Sequence, residues 1–149
     1  MTQTNSSIGI RQLLDMQNQA FIAEGAVSAE VRVQRIQQVI DLLVESKDAL
    51  CQAMGVDLGG RRIIKKKNND ILGSLSSLKH ARDHLTEWLG DSVRPSVKPF
   101  DMFGASAWVK YQPKGVIGII GTWNAPLFTL LSPLACAFAA GNRAVLKPS

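Results

Sequence analysis

The stretch 115-GVIGIIGTWNAPLFTLLSPLACAFAAGNRAVLK-147 carries no charged side chain until Arg143. Its first piece, 115-GVIGII-120, is a short β-branched run bounded by glycines, the pattern of a strand buried on both faces. Pro126 to Ala140 reads as a helix. Pro126 suits its first turn and Gly141-Asn142 its end, with Pro133 marking a kink or a late start. The piece 143-RAVLK-147 then reads as a second short strand. Strand, helix and strand within about 30 residues make a βαβ unit, so the strands should be parallel and the crossover right-handed.

The uncharged run is longer than the roughly 20 residues that span a bilayer. Gly115, Gly118, Gly121, Asn124, Pro126 and Pro133 interrupt it too often for a transmembrane helix, so no membrane span is expected. Over the whole chain of 149 residues, 46% are apolar and 19% charged, a globular balance. The net charge is +5, and much of the excess sits in 61-RRIIKKK-67. That cluster has no interleaved aromatics and reads as a solvated face, so no nucleic-acid partner is expected. Cys51 and Cys136 match no metal or redox spacing and read as inert, buried thiols of a reducing compartment, the cytoplasm. The N-terminus, 1-MTQTNSSIGIRQLL-14, lacks the basic and apolar regions of a secretory signal.

Upstream of the βαβ unit, the pattern from Ile8 to about Gly90 is helical. Within 28-SAEVRVQRIQQVIDLLVESKDALCQAM-54, Val33, Ile36, Ile40, Leu43, Leu50 and Met54 recur at helical spacing, and Arg32, Arg35, Gln38 and Glu45 fall on other faces. This predicts one amphipathic helix, with Ser28 as N-cap, Glu30 in the first turn and an end at Gly55 and Gly59-Gly60. A second helix is expected from about Asn69 to Leu89, burying Ile71, Leu72, Leu75, Leu78, Leu85 and Trp88 and stopping at Gly90. The segment 93-VRPSVKPFDMFGASAWVKYQPKG-115 reads as an extended linker leading to an edge strand or hairpin arm. The expected division is a helical part over 1–92, the arm over 93–114, and the βαβ unit over 115–149.

Candidate chemistry gathers at the ends of the two strands. Trp123 and Asn124 follow the first strand, where open parallel sheets collect ligands. A buried Asn left unpaired costs about 1–3 kcal/mol, so its amide needs a use. It can donate to a developing oxyanion, or it can cap the helix entered at Pro126. Lys147 stands at the equivalent place after the second strand, where an ammonium reaches nucleotide hydroxyls or phosphates, or is simply solvated. Gly115, Gly118 and Gly121 form GxxGxxG, which is not the dinucleotide fingerprint, and read as turns and points of close backbone approach. His80 and His84 stand four apart without a third ligand, the pattern of a helix surface, and no metal site is expected.

The segment 111-YQPKGVIGIIGTWNAPLFTLLSPLACAFAAGNRAVLKPS-149 closely resembles the aldehyde dehydrogenase superfamily. It has Pro-x-Gly-Val, Trp-Asn-x-Pro, Ala-Ala-Gly-Asn and Lys-Pro-Ser in family order and spacing. The first half agrees more loosely: 57-DLGGR-61, 79-KHAR-82 and 94-RPSVKP-99 look most like the coniferyl aldehyde and fatty-aldehyde branch. The resemblance implies an α/β fold, with N-terminal helices and the first βαβ unit of a Rossmann-like cofactor-binding domain, here incomplete. It implies oxidation of a small-molecule aldehyde to a carboxylic acid with NAD or NADP, through attack by a cysteine thiolate. Asn124 matches the asparagine that holds the thiohemiacetal oxyanion. Lys147 matches the lysine that bonds the adenosine ribose or a nearby phosphate. Ile120, Gly121, Thr122 and Trp123 match the segment that passes beside the cofactor. Relatives form dimers or tetramers through an arm expected within Val93 to Lys114.

Two features depart from the branch. Thr122 stands where it commonly has Pro or Ala, and 62-RIIKKKNND-70 replaces its Ser-x-x-Glu-Thr-like helix start. The family's nucleophile, general-base glutamate and pyrophosphate turn are expected beyond Ser149, so the chain reads as an N-terminal fragment that does not turn over alone. The alternative is a helical interaction or nucleic-acid-binding protein that uses the 61–67 cluster.

Overall fold

The structure is a computed structural model that describes residues 9–57 and 62–149, the side chains of 55–57 and 62–69 excepted. Helix α1 spans Ile10–Glu24 and ends at Gly25, whose φ of 68° suits a residue without a Cβ. Helix α2 spans Ala29–Glu45, and its Ser28 hydroxyl accepts from Val31 N at 3.4 Å, as an N-cap should. Glu30 also bonds Ser28, which holds its carboxyl below the ordinary range.

The single helix expected over 28–54 is instead two. Ser46 interrupts it, with α2 before and α3, Lys47–Asp57, after. Ser46 keeps the backbone hydrogen bonds, its N–H going to Leu42 O and its carbonyl accepting from Leu50 N, so the break is one residue wide. Serine competes locally for backbone bonds and is a natural place for such a break. Gly55 lies within α3 and does not end it; Gly59-Gly60 and the side chains of the basic cluster lie outside the described residues.

Helix α4 spans Arg62–Trp88, beginning well before Asn69. Its inner face carries Asp70, Ile71, Ser74, Leu78, Ala81 and Leu85, all buried. Leu72 and Trp88, expected inside, are exposed, because the stripe runs through 71, 74, 78, 81 and 85 and leaves them on its flanks. Strands β1, Ser92–Arg94, and β2, Ala107–Val109, pair antiparallel around a 3-10 turn at Phe100–Phe103. The segment between them carries exposed Val97, Phe100, Met102 and Phe103.

Strand β3, Val116–Ile120, and strand β4, Arg143–Lys147, are adjacent and parallel, joined by helix α5, Phe128–Ala139. Their register runs from Val116 against Arg143 to Ile120 against Lys147. Helix α5 continues through Pro133. It starts two residues after Pro126, because 123–127 forms a turn first.

The core lies between helices. Ile36, Ile40 and Leu43 of α2 meet Ile71, Leu78 and Leu85 of α4 and Ala135 and Ala139 of α5. On its sheet side α5 packs Leu130, Leu134 and Ala137 on Ile119, with Ile117 and Ala144 half-buried beside them. The outer face of β3, with Gly118 and Ile120, is open, so the strand expected to be buried on both faces is covered on one. Cys136, expected buried, is exposed for a related reason: its side of α5 lies in an open groove beside Trp88, Leu89 and Tyr111. Cys51 is half-buried.

Three polar anchors join the elements. Glu24 of α1 binds both Arg35 of α2 and Arg143 of β4, and Arg143 also donates to Gln17 of α1 at 2.9 Å. Asn142 is buried, and its Oδ1 accepts from Lys114 N at 2.6 Å and Gly115 N at 3.0 Å, pinning the entry to β3 on the entry to β4. The third anchor is Arg32. Expected off the apolar stripe, it is only 8% exposed, its Nε donating to Val27 O at 2.9 Å and its Nη1 to Ala139 O at 3.0 Å.

Candidate functional site

The end of β3 and the end of β4 are one place. Ile120 pairs with Lys147, and Gly121 N donates to Lys147 O at 2.9 Å, so the ladder closes one step past the strand. The chain then leaves the sheet through Thr122 into the Trp123-Asn124 turn. Ile120, Trp123, Asn124, Thr122 and Lys147 are all exposed there, Ile120 by 73% and Trp123 by 76%. The six residues expected to form the site therefore share one edge of the parallel pair.

Gly121 is the exception in burial, and it is packed against α5. A Cβ at Gly121 would lie 2.8 Å from Leu130 Cγ, so the bare backbone there lets helix α5 pack closely. Gly121→Ala should therefore cost about 1–3 kcal/mol of stability by overpacking. Gly118, where a Cβ meets nothing within 4 Å, should tolerate alanine within about 0.5 kcal/mol. Thermal melts of the two variants of this chain check the contrast; equal losses would contradict it.

Asn124 does not cap α5. The N-cap position is Leu127, which has no side-chain cap. The orphan N–H groups of that helix end go elsewhere: Asp70 Oδ2 accepts from Leu127 N at 3.1 Å and Oδ1 accepts from Phe128 N at 2.9 Å. A carboxylate at a helix N-terminus is favourable both as an acceptor and as a charge. It also fills the place where a phosphate would bind a helix of this kind, so α5 offers no such cradle. Sequence reading missed Asp70 altogether. Its partners are 57 and 58 residues away, but its place on the inner stripe of α4 beside Ile71 was a legible signal.

The turn itself hangs on Thr129. Its Oγ1 accepts from Thr122 N at 2.9 Å and donates to Ala125 O at 2.8 Å, bracketing Trp123 and Asn124. The Asn124 amide is thus held on a fixed turn with its side chain toward solvent, free of the capping duty.

His80 and His84 lie on α4 with ring centroids 4.2 Å apart, and Trp88 stacks on His84. Among the described residues no three metal-ligating side chains cluster. Among those residues, too, no helix is long and apolar enough to cross a membrane.

The class of architecture is α/β: two adjacent parallel strands joined by a helix packed on them, with the candidate residues at their carboxyl edge. The chain belongs to the aldehyde dehydrogenase family, whose model matches residues 5–149. It is 41% identical over 141 residues to a "Probable coniferyl aldehyde dehydrogenase" of Caulobacter vibrioides, covering 94% of this chain and 29% of that protein. It is 39% identical over 145 residues to the coniferyl aldehyde dehydrogenase of Pseudomonas sp. strain HR199, covering 95% of this chain and 29% of that protein. Among solved structures, substrate-bound Staphylococcus aureus AldH superposes with a TM-score of 0.82 at 25% identity, over 95% of this chain and 31% of that one. The chain spans under a third of the length of the relatives it matches.

Proposed function

We propose that this chain supplies the oxyanion-binding amide and one wall of the nucleotide site of an NAD- or NADP-dependent aldehyde dehydrogenase. The reaction converts an aldehyde and water to a carboxylic acid, with reduction of the cofactor and release of a proton. The observation that carries the reading is the shared edge: Ile120 registers with Lys147, and the Asn124 turn follows one residue beyond the ladder. The similarity to coniferyl aldehyde dehydrogenases supports coniferyl aldehyde or a similar aromatic or aliphatic aldehyde as the substrate class.

The residues fit a nicotinamide dinucleotide. The outer face of β3 is open at Gly118 and exposed at Ile120, a flat apolar surface for a planar group. Lys147 offers its ammonium to ribose hydroxyls or to a phosphate, and Thr122 and Trp123 border the same edge. The bound cofactor supplies the hydride acceptor. Asn124 donates its side-chain amide to the substrate oxygen as negative charge develops there, where a fixed donor gains most. The thiolate that attacks the carbonyl and the general base are supplied by the remainder of a protein of family length; Cys51 and Cys136 lie away from the Asn124 edge, on α3 and on the open groove of α5. The exposed apolar segment between β1 and β2 is the proposed arm of a dimer or tetramer, and the compartment is the cytoplasm.

A protein of family length carrying this segment should form NADH or NADPH on addition of coniferyl-type aldehydes, followed at 340 nm. The 149-residue chain alone should form none. Absence of turnover by the long protein with every aldehyde and both cofactors would end the proposal, and robust turnover by the short chain would show the reacting groups misassigned.

A further inference from the structure

We propose that Asp70 is a positioning residue for the oxyanion site, acting through the first amides of α5 on the turn that carries Asn124; this rests on the reading of Asn124 given above. Asp70 is 9% exposed and points from α4 into the start of α5. Its two carboxylate oxygens take the N–H groups of Leu127 and Phe128 at 3.1 and 2.9 Å, a two-point grip that fixes both the height and the rotation of the helix end. One turn further along α4, a Cβ at Gly73 would meet Phe128 Cδ2 at 3.1 Å, so the Phe128 ring lies close against the bare backbone there. Ser74 Oγ donates to Asp70 O at 2.7 Å, tying the same turn of α4 together. α4 thus forms a socket, with a carboxylate for the amides and a bare backbone for the ring.

The next residue carries the constraint onward. Thr129, adjacent to Phe128, takes Thr122 N and gives its own proton to Ala125 O. Trp123 and Asn124 lie between those two bonds. Rotation or retreat of the α5 start therefore moves Thr129 and, with it, the Asn124 amide. A purely structural carboxylate would lower stability without regard to Asn124; a positioning one loses its effect on the chemical step once the Asn124 amide is gone.

The test is a double-mutant cycle in the protein of family length, with kcat, KM for the cofactor and melting temperature measured on each variant. Asp70→Asn keeps the shape but replaces one of the two acceptors with an NH2 donor, which leaves one of the two α5 amides without its partner. It should lower kcat roughly 10- to 100-fold, the size of loss that small misplacements of reacting groups produce. In an Asn124→Ala background the same change should lower kcat less than about threefold, because coupled residues do not add. Thr129→Val, which removes the last link while leaving Asp70 in place, should behave alike and serves if Asp70→Asn does not fold. A full, additive loss in the Asn124→Ala background, or normal kcat in Asp70→Asn or in Thr129→Val, overturns the positioning role while leaving Asn124 catalytic. Normal kcat in Asn124→Ala itself overturns the reading on which the proposal rests.

Discussion

Replacing Asn124 by alanine in the protein of family length should lower kcat by about 10²–10³-fold, with KM for the cofactor little changed. The loss corresponds to about 3–4 kcal/mol for one donor removed from an oxyanion site. An interaction made only as charge develops appears in kcat and not in ground-state binding. The stability of the variant should be nearly that of the parent, because the first amides of the helix that follows are taken by Asp70 and not by Asn124. Thermal melting and steady-state kinetics on the same preparation check both halves. A protein that is less stable by about 1 kcal/mol but turns over normally would make Asn124 a cap after all.

The largest loss of stability at a polar residue should come from Arg32→Ala. The guanidinium lies under α5's last turn, donating to Ala139 O, while its Nε holds Val27 O. A cation at a helix C-terminus is favoured by the peptide dipoles. The chain makes room for it at Gly141, where φ is 83° and a Cβ would lie 2.7 Å from Arg32 Cζ. Burial, and secondarily Arg35, push the Arg32 pKa down, yet the group stays ionised throughout the range in which proteins fold. Its contribution should therefore not vary with pH. Truncation leaves a buried carbonyl without its donor and a void beside Gly141. With hydrogen bonds from charged groups worth about 1.5–3 kcal/mol each, the expected loss is about 3 kcal/mol. Urea denaturation of this chain measures it. A change below about 0.5 kcal/mol would mean that the buried charge gains nothing from its two carbonyls.

Paired, Asp70 and Arg32 explain what was legible in the sequence and what was not. The βαβ unit was legible because its signals are local: glycines bound a β-branched run, and Gly141-Asn142 stops an alanine-rich helix. The parallel pairing and the α5 crossover followed from those alone. The anchors at the two ends of α5 are not local. Arg32 reaches Ala139 across 107 residues, and its partner is a backbone carbonyl, which has no sequence identity. Counted as a charge, it reads as lying off the apolar stripe; counted by position, it lies one turn before Ile36 on the buried stripe. Asp70 was overlooked for the same reason, and with it the capping of α5 that separates Asn124 from a structural duty. The strand expected to be buried twice is covered on one face, and the thiol expected inside lines the open groove of α5, because burial depends on what packs against an element and not on its own pattern.

The site residues were legible as a set because both strand ends fall at one edge whenever the strands are parallel and adjacent. Their chemistry is a separate matter from their placement. It is tested most directly by a crystal structure of the protein of family length with an aldehyde, or the adduct it forms, bound in the site. The distance to read is from Asn124 Nδ2 to the oxygen of the reacting carbonyl. A separation of about 2.7–3.1 Å is expected, the range of an oxyanion donor. An amide turned away from that oxygen, with no contact short enough for a hydrogen bond, would contradict it.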